Sequence, residues 1–151
     1  MARPLNEFGG WLRFFQVICW LTLIVYGVNV FVITGLVLDQ PTPQKIFSFV
    51  VLIFGIGFLL FLIWKILRLL TVKAPEIPGR IVKKMLVFTI VAALFSLADT
   101  CFSYWIYGMA LSFRDARDFL RPIAWYLIWS SYFRKSKRVV AHYGANAAGK
   151  G

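Results

Sequence analysis

The feature that most constrains this chain is a run of 25 residues, Phe14–Leu38, without one charged side chain. A bilayer's hydrocarbon core is about 30 Å thick, which a helix rising about 1.5 Å per residue crosses in about 20 residues. In lipid every backbone N–H and C=O must be satisfied within the segment, so such a run reads as a transmembrane helix. It exceeds the roughly 7–15 apolar residues of a signal peptide, and no A-x-A site follows it, so it reads as a retained span.

Three more segments follow the same logic. The second spans about 46–70, apolar to Trp64 and continuing as helix to Leu70. The third spans about 85–111 and contains one charge, Asp99. The fourth, about 120–136, has a short apolar centre, Pro122–Phe133, and spans only if Arg121 and Arg134 snorkel to the headgroups. The expected fold is all-α: an integral membrane bundle of four antiparallel transmembrane helices over residues 1–143, then a disordered tail at 144–151.

The connections carry turn chemistry. Thr42 is an N-cap candidate with Pro43 at the first helical position. Lys73–Gly79 holds two prolines and a glycine, which break the second helix. Ser112–Arg121 alternates basic and acidic residues, and Pro122 is read as restarting the helix.

Charge then sets the orientation. With four spans, one side holds thirteen of the 17 lysines and arginines. The other holds Lys45, Arg114, Arg117 and Arg121. The positive-inside rule puts the richer side, with both termini, in the cytoplasm. The net charge of +11 is therefore read as loop charge rather than a nucleic-acid surface, which would need a basic stripe on a soluble fold.

Asp99 is the first candidate site residue. A charge near the centre of a span costs about 2.5–3.5 kcal/mol on insertion scales, so it is expected to face the bundle interior with a partner. Ala92, Ser96, Asp99 and Ser103 recur at i, i+4, i+7 and i+11, a narrow stripe of small and polar residues. Asn29 of the first span and Arg121 at the outer end of the fourth are the candidate partners. The stripe reads either as interhelical glue or as a proton- or ligand-binding carboxyl. A second candidate is the basic segment Arg134, Lys135, Ser136, Lys137 and Arg138, just cytoplasmic of the fourth span, which reads as a topology anchor or as a contact for lipid headgroups or a partner. Cys19 and Cys101 differ in expected depth by roughly 16 Å, too far for a disulfide. No nucleophile elbow, phosphate loop or metal-ligand spacing is present, so neither an enzyme nor a cofactor is expected.

Two end segments carry a resemblance. Gly9-Gly-Trp-Leu12 leads into the first span. Near the C-terminus, Trp129, Tyr132, Phe133, Ser136, Arg138 and Val139 fit a W-x-x-Y-F-x-x-S-x-R-V pattern. Together these resemble the bacterial domain-of-unknown-function family 2569, although Ala141-His142-Tyr143 stands where that family continues with a Thr-Phe-like pair. The resemblance implies a small multi-pass protein of the bacterial inner membrane and no particular chemistry. The favoured reading is an accessory subunit that packs with another membrane protein or with copies of itself, in contact with membrane lipids. The alternatives are a small transporter or proton-linked channel using Asp99, and lipid recognition by the basic segment.

Overall fold

The computed structural model describes residues 9–39, 42–107 and 112–144. The regular structure among them is helical: α1 (Trp11–Asp39), α2 (Pro43–Leu70), α3 (Ile77–Tyr107), α4 (Phe113–Lys135) and α5 (Lys137–Tyr143). α1, α2 and α3 are long and apolar enough to cross a membrane. The expected tail, apart from Gly144, and the end of the expected third span at 108–111 lie outside the described residues. The chain divides into two compact units, Phe8–Arg68 and a second that includes Leu69–Gly151.

In the first unit, Gly10 takes a φ of 57°, a left-handed conformation that glycine adopts without penalty, and its carbonyl accepts the Phe14 N–H at 3.0 Å to open α1. α2 begins at the expected Pro43, whose missing N–H costs nothing at a first helical position. The Ile46 N–H reaches back to the Thr42 carbonyl at 2.9 Å. Buried side chains gather in one half of each helix: Leu12, Phe15 and Cys19 early in α1, and Leu59, Leu62, Ile63 and Ile66 late in α2. The other halves expose Phe31 and Phe54, which suits lipid tails as apolar as themselves. The Thr22 and Thr34 hydroxyls donate to the Ile18 and Val30 carbonyls of their own helix, at 2.8 and 2.7 Å. Near the end of α2, Lys65 Nζ lies 5.2 Å from the Phe61 ring centre and the Arg68 guanidinium 4.7 Å from that of Trp64. Cations over aromatic faces are an interfacial arrangement.

The second unit departs from expectation at one helix start. α3 begins at Ile77, eight residues before the span expected from Met85. Pro75 stays outside the helix, whereas Pro78 falls in its first turn, where a missing N–H is harmless. Ile77, Pro78 and Ile81 are buried there, and Glu76 and Arg80 pair across one turn at 2.6 Å. α4 begins at Phe113, so Pro122 does not restart a helix but lies inside one. Ser112 supplies the start: its hydroxyl accepts the Asp115 N–H while the Asp115 carboxylate accepts the Ser112 N–H, a capping box. The proline then removes only the donor that the Asp118 carbonyl would have used.

α3 and α4 pack against each other as an antiparallel pair. The Phe88 and Trp125 rings sit 5.6 Å apart, and the Thr89 hydroxyl donates to the Pro122 carbonyl at 3.2 Å. Met85, Phe88, Trp129 and Phe133 are buried in this unit. Ser136, with extended backbone at φ −76° and ψ 121°, ends α4. α5 then folds back so that the buried Tyr143 donates its hydroxyl to the Leu70 carbonyl at 3.3 Å. That bond satisfies one of the orphan carbonyls at the end of α2.

Candidate functional site

The Thr89–Pro122 hydrogen bond fixes the register of α3 against α4. Asp99 lies ten residues beyond Thr89, about 15 Å along α3, and Phe113 lies nine residues before Pro122, about 14 Å along α4. α4 therefore begins level with Asp99. Ile81, Met85, Phe88, Ala92, Ser96 and Asp99 follow at steps of three and four, so they share one face of α3. That face is buried through Phe88, half-buried at Ala92 and Ser96, and exposed at Asp99. The expected stripe is present as far as Asp99; the Ser103 side chain is not among the described ones.

Asp99 sits on the packed face of α3, but at the height where its neighbouring helix runs out, and it is exposed. It makes no hydrogen bond or ion pair with another described residue. Arg121 cannot serve Asp99: it adjoins Pro122 and so lies about 14 Å below Asp99 along the pair, more than an arginine side chain spans.

The matching face of α4 carries Asp115, Asp118, Pro122, Trp125, Trp129 and Phe133. The α3–α4 interface thus changes character at Thr89–Pro122, apolar towards Phe133 and polar towards Asp99. Both carboxylates of α4 are committed. Asp115 accepts the Ser112 N–H and hydroxyl, each at 2.7 Å. Asp118 is shared by Arg114, at 3.8 Å, and Arg117, at 3.3 Å. Of these three acids only Asp99 is left over.

The outward side of α4 holds a groove of about 620 Å³ lined by Phe113, Ala116, Arg117, Leu120, Arg121 and Ala124. Arg121, a candidate partner of Asp99 in the sequence reading, lines this groove. Sequence reasoning missed the capping box behind it, although Ser112-Phe-Arg-Asp115 is the S-x-x-[DE] signal itself.

At the other end of the pair, Lys135 lies thirteen residues past Pro122 and Glu76 thirteen before Thr89. Lys135 is thereby level with Glu76, and Arg80, Lys83 and Lys84 lie about 6–12 Å further along the pair. Among the described residues the one acid ion-paired at this end is Glu76, with Arg80. The W-x-x-Y-F-x-x-S-x-R-V segment builds the corner between α4 and α5. Trp129, Phe133 and Val139 are buried. The Ser136 N–H donates to the Tyr132 carbonyl at 3.0 Å while its side chain makes no capping bond. The buried Tyr132 hydroxyl has no hydrogen-bond partner among the described residues.

Comparison with protein families gives one finding of consequence. The family described as "Protein of unknown function (DUF2569)" matches residues 5–143. No curated protein and no solved structure matches the chain.

Proposed function

The chain belongs to the DUF2569 family, and from that premise we propose that it is a non-catalytic interaction subunit of a larger complex in the bacterial cytoplasmic membrane. Its helices fit an integral membrane protein: three are long and apolar enough to cross. α4 is the fourth membrane helix, packed on α3 rather than spanning by its own hydropathy. Two observations support placing both termini in the cytoplasm. Thirteen of the 17 lysines and arginines fall on one side. The antiparallel register also returns the C-terminal basic cluster to the side where α3 begins.

The observation that carries the interaction reading is Asp99. It lies fifteen residues past Lys84, about 22 Å into a core of about 30 Å, exposed and unbonded among the described residues. Facing lipid, such a carboxyl costs about 2.5–3.5 kcal/mol. A partner helix that presents a cation or hydrogen-bond donor at that depth removes the cost. A proton-linked transporter would need polar lining to continue below Thr89, where Phe88, Trp125, Met85 and Phe133 close the path.

The test is a photo-crosslinking residue at Ser96, one turn from Asp99 on the same face, introduced into the full chain in membranes. Crosslinking to a distinct membrane protein that co-purifies in mild detergent is expected. Recovery of uncrosslinked monomer alone would count against the proposal.

A further inference from the structure

The chain turns from α2 into α3 at residues 71–76, and the α4–α5 corner is fastened to that turn. Tyr143 donates to the carbonyl of Leu70, the last residue of α2. Gly144, at φ 110°, lies close to Pro75, whose Cβ a side chain at Gly144 would meet at 3.9 Å. α5 packs against both α3 and α4, and Val139, His142 and Tyr143 are buried. The apolar face of α5 is thus committed to its own fold.

The corner leaves charge outside. Arg134, Lys135 and Lys137 are exposed and Arg138 is half-buried. None of the four ion-pairs with another described residue. Lys73 joins them from the turn and Arg80 from the first turn of α3. Glu76 is taken by Arg80, while Asp99, Asp115 and Asp118 lie past Thr89–Pro122, towards the opposite end of the pair.

A basic segment that acted on topology alone would need no fixed shape, because the positive-inside rule counts residues rather than their arrangement. Here the segment has one. Trp129 and Phe133 anchor it on the α4 side and Val139 on the α5 side, each at most 4% exposed, and Ser136 bends it with extended backbone. Cations held on a fixed corner whose large apolar side chains are buried fit a partner recognised by charge. The corner also sits at the junction of α2 and α3, both long and apolar enough to cross a membrane, and such junctions lie among the headgroups. Each basic residue there gains about fivefold in association with an anionic surface.

We infer that the α4–α5 corner binds anionic phospholipid headgroups, with Arg134, Lys135 and Lys137 on their phosphates. The inference rests on the membrane-spanning reading of α2 and α3 but not on the protein partner proposed at Asp99.

Native mass spectrometry of the full chain in detergent, titrated with phosphatidylglycerol and in parallel with phosphatidylcholine, tests it. Phosphatidylglycerol should bind about tenfold more tightly or better. Raising ammonium acetate fivefold from about 0.1 M should remove most of that preference. Arg134→Gln/Lys135→Gln/Lys137→Gln should bring the two lipids within about twofold of each other. Arg114→Gln/Arg117→Gln/Arg121→Gln removes as many exposed charges from the other end of α4 and should leave the preference within about twofold of wild type. No preference in the wild type, an undiminished one in the corner variant, or equal losses in both variants overturns the inference. The wild-type lipid and salt comparisons decide the matter where a Gln variant does not fold. A polyglutamate peptide is the rival probe. If it displaces phosphatidylglycerol at comparable concentration, the corner docks an acidic protein segment and the lipid assignment fails.

Discussion

Replacing Asp99 with leucine separates a carboxyl that faces lipid or a partner chain from one that serves its own fold. On insertion scales a centrally placed aspartate costs about 2.5–3.5 kcal/mol and a leucine gains about 0.3–0.6. The exchange therefore favours the isolated chain by up to about 3–4 kcal/mol if Asp99 is unpartnered. Asp99 lies about 8 Å inside the far boundary, counting from Lys84, so part of that cost is already relieved by snorkelling and the net gain should be nearer 1–2 kcal/mol. The perturbation removes no hydrogen bond to a described residue, since Asp99 makes none. Unfolding of the full chain in bicelles, followed by steric trapping, gives the free energy directly. Asp99→Leu is expected to be at least as stable as wild type, with Asp99→Asn between them. The Ser96 crosslink to a partner should weaken in the same order. Destabilisation of the isolated Asp99→Leu chain by 1 kcal/mol or more would refute the reasoning, because it would mean that Asp99 is bonded inside its own chain.

Other expectations follow from the second unit and the topology. Ser112→Ala should cost about 1 kcal/mol at the start of α4, read as faster hydrogen exchange of its first-turn amides. Tyr143→Phe leaves the Leu70 carbonyl without its donor; a loss of about 0.5–1.5 kcal/mol is expected, seen as earlier protease cleavage ahead of α5. In a chain whose own cysteines are replaced, Thr42→Cys should react with an impermeant thiol reagent from outside intact cells and Lys137→Cys only after permeabilisation; the reverse pattern would invert the topology.

Much of the fold was legible because membrane helices are dictated by solvent more than by packing. Phe14–Leu38 has no other stable conformation in lipid, and α1 follows it closely. Thr42-Pro43 marked the start of α2 as a cap and first turn should. The misreading concerns Pro122, which is tolerated inside a helix that the Ser112–Asp115 capping box opens ten residues ahead of it; Pro78 falls among the opening N–H groups of α3, which have no partner to lose. The pair Arg114–Asp118, one turn apart, supports the same stretch. An alternating run of charges looks like a loop until Ser112 and Asp115 are read together.

The site was legible in one dimension and hidden in the other. Helical spacing placed Ala92, Ser96 and Asp99 on one face, and the structure keeps them there. Whether that face is covered at Asp99 depends on where a different helix begins, and that height is fixed by Ser112, thirteen residues away in sequence. The same displacement moved Arg121. With a helix restarting at Pro122, Arg121 belongs to the outer end, within reach of Asp99. With the helix starting at Phe113 and Thr89 bonded to Pro122, it falls about 14 Å lower and joins Arg117. One misread cap therefore changed both candidate sites. It separates Arg121 from Asp99, leaving the acid exposed on α3 and placing Arg121 beside Arg117 on the side of α4 away from α3.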